Sequence, residues 1–350
     1  MNLLEQELHY PLGDTLPEPG CALEVAPGVR WLRMGLPFAL NHINLWLLED
    51  EIDGRAGWTV VDTCIDRPES REQWERVMAH ELHGRPILRV IVTHMHPDHI
   101  GLAHWLCERY AAPLWISATD FYAARSASRP ATGGGEPSAR FYAAHGLTDP
   151  GSLEKIRART SYYPSLVPGV PERFRRMMDG DTLTIGGRAW RCISGYGHAP
   201  EHISLACEEL RVLISGDMML PRISTNVSVW EMEPESDPVT QFLDSIDKLA
   251  GLHADTLTLP SHGKPFRGLH ARIRQLHDHH RDRLAEVMQA CAQAPCCAAD
   301  IVPIMFKREL DLHQTTFAMG EALAHLHVLW FQGKLRRGRG DDGVWRFAPA

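Results

Sequence analysis

"THMHPDHIG", residues 93–101, places three imidazoles and a carboxylate within six positions: His94, His96, Asp98 and His99. The residues before it, "PILRVIVT" (86–93), form a β-branched, almost wholly apolar run that reads as a buried strand. "IGLAHWLCERY" (100–110) then repeats apolar residues at helical spacing. The motif is therefore the loop between a strand and a helix. Pro97 presets φ and Asp98 suits a helix start, so the strand end and the first helical turn can aim four donor side chains into one crevice. Such strand ends are where sites collect in layered α/β folds. At this composition chance would supply the pattern roughly 0.01 times in the chain, so a metal site outweighs a solvated turn. Imidazole with carboxylate and no thiolate suits Zn, Fe, Ni or Mn, and spacing alone does not choose among them.

Composition bounds the rest. A chain of 350 residues, 44% hydrophobic and 23% charged, can bury a full core and suits one large domain with a small one, or two ordinary domains. It has no run of eighteen or more apolar residues. Its first twenty residues lack the basic and apolar regions of a leader, so no membrane association is expected and the cytoplasm is the default. Eight cysteines without a C-x-x-C pair read as buried or free thiols. The net charge of −8 argues against indiscriminate binding to phosphate backbones, though not against a local basic patch.

The form H-x-H-x-D-H resembles the first ligand motif of the metallo-β-lactamase-fold hydrolases. Three later stretches match that family in order, each after a strand-like run: "GYGHAPEHISL" (195–205) with His198, "VLISGDMML" (212–220) with Asp217, and "DTLTLPSHGKPF" (255–266) with His262. The resemblance implies an α+β chain whose first part, residues 1–266, is an αββα sandwich. It also implies two divalent metal ions, Zn first, with Fe or Mn as alternatives. One ion would take His94, His96 and His198, the other Asp98, His99 and His262, with Asp217 shared. Two dications about 3.5–4 Å apart share a water whose pKa falls towards roughly 7, which is a hydrolase's machinery, and Asp98 is the residue placed to orient that nucleophile or take its proton.

Weaker matches surround these. Asp62 in "GWTVVDTC" ends an early strand where the family has an Asp that orients a ligand, and His202 beside the second ligand loop is expected to support ligands without being one. The chain departs from the family with Cys64 and Glu201 where Gly is usual; Cys64 is expected to be a small buried residue. Class B β-lactamases lack a carboxylate at the Asp217 position, so antibiotic hydrolysis is not the expected reaction. The thioester, lactone and phosphodiester branches are.

Beyond His262, "GLHARIRQLHDHHRDRLAEVMQACAQ" (268–293) reads as an amphipathic linker helix over 267–298, with His277, His279 and His280 on a solvated face. A short helix with Asp300 as cap, a longer one stopped by Gly333, and a hairpin around Asp341-Asp342-Gly343 follow. This order over 299–350 resembles the small C-terminal winged-helix domain of β-lactamase-like hydrolases that include a single-strand-specific endoribonuclease branch. Lys334, Arg336, Arg337 and Arg339 could meet phosphates there, or simply guard a hairpin edge. An insertion over 119–178 has a Gly/Pro/Ser-rich stretch (126–140), expected to be mobile, and segments that can make short helices, and it suits a lid. Tyr142 and His145 on it, with Phe38, Asn41 and His42 on an early hairpin loop, are candidates for the substrate pocket. Two expectations stand: hydrolysis of a thioester or lactone in a small acyl substrate, or cleavage of single-stranded RNA or another phosphodiester with the winged helix as binding module. A homodimer is compatible with either.

Overall fold

The computed structural model describes residues 3–129 and 135–350; residues 130–134, in the middle of the Gly-rich stretch, lie outside the described residues. A first sheet has the order β1 (Leu23–Ala26), β2 (Val29–Gly35), β3 (His42–Ile52), β4 (Arg55–Val61), β5 (Ile87–Ile91), β6 (Leu114–Ile116) and β7 (Phe174–Arg176). It is antiparallel as far as β4 and parallel from there to β7. Parallel neighbours need crossovers. These are α1 (Pro68–His80), then α2 (Pro97–Ile100) with α3 (Ala103–Tyr110), then α4 (Ala118–Ala127) through α7 (Tyr162–Leu166) by way of α5 (Glu136–Ala144) and α6 (Pro150–Arg157). In α1, Pro68 occupies the first turn, and Ser70, Trp74 and Val77 form the buried face at helical spacing.

The second sheet runs β12 (Leu257–Pro260), β11 (Val212–Gly216), β10 (His202–Cys207), β9 (Arg188–Gly195), β8 (Thr182–Ile185), with α8 (Pro238–Leu249) between β11 and β12 in the chain. Side-chain alternation divides the apolar residues of β2 and β3 between two cores. Leu32, Met34, Ile43, Leu45 and Leu47 pack with residues of α1 and α3, whereas Trp31, Trp46 and Leu48 pack with Trp190, Ile203 and Ile214 of the second sheet. That division makes the sandwich. Between the sheets lies a buried ion pair, in which Asp50 Oδ2 accepts from Arg89 Nη2 (2.6 Å) and Thr59 Oγ1 (2.6 Å) while Arg89 also donates to the Thr184 carbonyl (2.6 Å).

The described residues form two compact units. The first holds 3–129, 163–225 and 245–273, and the second 135–162, 226–244 and 274–350. The second unit contains α10 (Ala298–Met305), α11 (Leu312–Phe331) and the hairpin of β13 (Leu335–Arg339) with β14 (Trp345–Pro349), as well as most of α9 (Leu269–Gln293). The expected order of helix, helix and hairpin is present, with two corrections. Asp300 is not the N-cap of α10: Cys297 is, and the Asp300 carboxylate, three residues on, accepts the Cys297 N–H (2.8 Å). His280 is not solvated, because it is buried with its Nδ1 3.1 Å from His325 Nε2; His277 and His279 are half-buried. No helix among the described residues is long and apolar enough to cross a membrane.

The buried charges of both units carry measurable consequences for stability. Arg89→Met leaves Asp50 buried without its cation and should destabilise the fold by about 3–5 kcal/mol in denaturant unfolding. Burial pushes Glu321 of α11 up to about 7, against a hydrogen bond from Asn226 that acts the other way. The folded chain then holds this proton more tightly than the unfolded one, so stability is lost as pH rises from the ordinary carboxyl range through about 7. Glu321→Gln should raise the melting temperature at pH 8, by up to about 3 kcal/mol of stability, and change little at pH 5.

Candidate metal centre

Strand direction gathers the motif residues. β4 and β5 are parallel, as are β11 and β12, and β9 runs the same way as β11 because both are antiparallel to β10. The segments after β4, β5, β9, β11 and β12 carry Asp62, the 93–99 loop, His198, Asp217 and His262 respectively. Among the described residues two donor groups result: His94, His96, His198 and Asp217; and Asp98, His99 and His262.

In the first group, His94 Nε2 lies 2.9 Å from His96 Nδ1 and 3.2 Å from His198 Nε2, and the last two are 3.1 Å apart. Asp217 Oδ2 is 3.1 Å from His198 Nε2 and 4.0 Å from His94 Nε2. Three ring nitrogens turned on one point cannot satisfy one another with the protons available. Their spacing is close to the roughly 3.3 Å separating nitrogens that bind one tetrahedral ion at about 2.0–2.1 Å. In the second group, His262 Nε2 lies 3.4 Å from both Asp98 Oδ2 and Asp217 Oδ1, and His99 Nε2 lies 3.7 Å from each. Asp217 thus offers one oxygen to each group. Both Asp217 Oδ1 and His99 Nε2 are buried with no hydrogen-bond partner among the described residues. Orphaned buried acceptors are costly unless a cation completes them, so the donors fit a pair of N/O-bound divalent ions.

The outer contacts set the tautomers. Asp62 accepts the Thr93 N–H (2.8 Å), the Thr93 hydroxyl (2.9 Å) and His99 Nδ1 (2.8 Å). With its proton given to Asp62, Thr93 Oγ1 receives His94 Nδ1–H at 3.0 Å. His262 Nδ1 donates to the His42 carbonyl (2.7 Å), and each ring is left with its Nε2 lone pair facing inward. Asp62 does this with φ +62°, and Cys64 follows at φ +70°, the left-handed region that explains the family's Gly there. Cys64 is fully buried against Ser70, and burial pushes its thiol up to about 12.

Charge is distributed unevenly over the cluster. Burial first, then the neighbouring rings, hold His94 and His202 well below the usual imidazole range; burial and His198 do the same to His96. Burial alone would lower His99, but Asp62, Asp98 and Asp217 outweigh it and raise that ring. Asp217, which burial would raise, is held well below the carboxylate range by His262 and His99.

His202 accepts the Asp217 N–H on Nε2 (3.2 Å). Among the pocket candidates, His42 accepts the Gly263 N–H on Nε2 (2.8 Å), its Nδ1 meets Asn41 Oδ1 (2.9 Å), and burial, then Arg33 and His262, lower it to about 3. Its contacts are thus with the His262 loop. Phe38 packs partly buried on the helix-side core. Tyr142 and His145 belong to the second unit and are buried, and the His145 carbonyl accepts the Ala299 N–H. Sequence reasoning gave no role to Thr93 or Asp120, and it read Tyr163 only as an aromatic of the insertion that could shape a pocket, whereas its hydroxyl donates to the Met95 carbonyl. Asp120 accepts backbone N–H groups of Met95 and Glu201, and burial pushes it up to about 6. Its one sequence signal, a Ser three residues earlier, announces only the start of α4, where Ser117 is the N-cap.

Gly216 offers a test. It sits at φ +54°, and a Cβ there would come within 2.1 Å of His202 Nε2. Gly216→Ala must displace His202 and with it the Asp217 backbone. Metal content by elemental analysis should fall at both donor groups while far-ultraviolet circular dichroism stays native.

Residues 40–262 match the model of the metallo-beta-lactamase superfamily, and residues 284–350 match the model described as metallo-beta-lactamase-like, C-terminal domain. A probable metallo-hydrolase of Bacillus subtilis, YqjP, is 25% identical over 85% of this chain and 91% of its own length. A beta-lactamase domain protein from Burkholderia ambifaria superposes with a TM-score of 0.95 at 55% identity, covering all of both chains. The metallo-beta-lactamase family protein TTHA1429 from Thermus thermophilus has a TM-score of 0.75 at 28% identity, over 93% of this chain and all of its own. With its donor groups in place and its family model spanning 40–262, the chain belongs to the metallo-β-lactamase superfamily and is a metallo-hydrolase.

Proposed function

We propose that the chain hydrolyses the thioester or lactone bond of a small acyl substrate at a two-metal centre held by His94, His96, His198, Asp98, His99 and His262, with Asp217 shared. The observation that carries the two-metal reading is Asp217, one oxygen of which faces each donor group. Two such ions, Zn first among the candidates, would supply an acidified water nucleophile and polarisation of the bond under attack. The protein's own part is positional. Asp62 and the His42 carbonyl fix two imidazoles by their outer nitrogens, and Thr93 fixes a third. Asp98, half-buried with Oδ2 towards His99 and His262, keeps Oδ1 as the atom to orient the attacking water and take its proton.

The substrate class rests on charge. A phosphodiester track needs free cations, but Arg337 is stacked between Trp330 (4.0 Å) and Trp345 (4.6 Å) and paired with Glu235, and Arg346 is paired with Asp342. With a net charge of −8 this favours a small acyl compound over RNA. The exposed Lys334, Arg336 and Arg339 on the hairpin support the second reading, an endoribonuclease with a winged-helix module. Initial rates on matched thioester, lactone, single-stranded RNA and bis-aryl phosphodiester substrates decide. Acyl turnover that falls at least about 100-fold in Asp98→Ala is expected; cleavage of RNA or phosphodiester alone would overturn the acyl assignment.

A further inference from the structure

We infer that Asp120 and Tyr163 are positioning residues that set the spacing of the three-imidazole group by tying the peptide of Met95 to the loop that carries His198. Met95 lies between His94 and His96, so its backbone fixes where both rings start. Asp120 Oδ1 accepts the Met95 N–H at 2.7 Å, and the Tyr163 hydroxyl donates to the Met95 carbonyl, so this residue is held at both of its polar groups. The other oxygen, Asp120 Oδ2, accepts the Glu201 N–H at 2.6 Å, three residues after His198. Thr119, the neighbour of Asp120, donates to the Glu201 carboxylate at 3.0 Å, giving the side chain that replaces the family's usual Gly a partner on the same element. One fully buried carboxylate therefore couples two loops that are 102 residues apart at His96 and His198 and whose nitrogens meet at 3.1 Å. Asparagine has a single acceptor oxygen, so it would leave one of the two amides facing an amide. The second donor group is held by other bonds, from Asp62 and His42, so loss of the clamp should affect the first group selectively.

This inference rests on the two-metal reading, and the test separates the two. The full-length chain is stripped and titrated with Co(II) against a competing chelator, following the visible absorption of each class of site and using His96→Ala to mark the first class. Asp120→Asn should weaken that class about 10–100-fold with an altered spectrum, leaving the second class within about twofold, and Tyr163→Phe should weaken it less. Wild-type affinity in both variants, or equal weakening of both classes, overturns the inference alone. Should Asp120→Asn fail to fold, Tyr163→Phe decides by the same readout. A wild-type chain that takes up fewer than two ions overturns the two-metal reading, and the inference with it.

Discussion

Asp217 is a carboxylate buried among imidazoles, with one oxygen turned to His198 at 3.1 Å and the other to His262 at 3.4 Å. A charge removed from water needs opposite charge and directed partners, and among the described residues Asp217 Oδ1 has no hydrogen-bond partner, which fits a cation there. Much of the surrounding architecture holds this arrangement. Gly216 allows the turn that lets His202 receive the Asp217 amide, and Thr225 donates to the Asp217 carbonyl. The parallel pair β11 and β12 brings Asp217 and His262 out at the same edge.

A hierarchy of rigidity follows. The sheets fix strand ends; the ligand loops leave those ends; carboxylates and carbonyls then fix the ring rotations. Each layer narrows the geometry of the next, and strain is tolerated where it serves this purpose, as at Asp62 with its positive φ and three accepted hydrogen bonds. The ion pair of Arg89 and Asp50 plays the matching part between the sheets, because Arg89 reaches the Thr184 carbonyl of β8 from β5.

The donor residues were legible because liganding chemistry restricts side-chain type and because each donor follows an apolar strand-like run. The division of β2 and β3 between two cores was not legible, because "INLWLL" of β3 is almost continuously apolar and buried on both faces. What stayed hidden is carried by bonds to the backbone, which any sequence can supply. Asp120 looks like an ordinary early-helix acid, and only the fold shows that the two amides it accepts belong to two ligand loops. His42 was read as a pocket candidate from its loop, and what the sequence did not show is that its ring accepts the Gly263 N–H and its carbonyl accepts from His262. His280 was misread although it lies seven residues from both Ile273 and Val287 on the buried face of its helix, and a partner that buries it, His325, lies 45 residues away on α11. The basic hairpin is the same lesson in charge: counting arginines shows a patch, whereas Glu235, Asp342 and two tryptophans show how much of it is already engaged.

The most direct test of the shared carboxylate is anomalous diffraction from crystals of the Zn-loaded chain, with data on both sides of the Zn absorption edge. Two peaks about 3.5–4 Å apart are predicted, one among His94, His96 and His198 and one among Asp98, His99 and His262, with Asp217 between them. A single peak, or two peaks that Asp217 does not join, would contradict the shared-carboxylate centre.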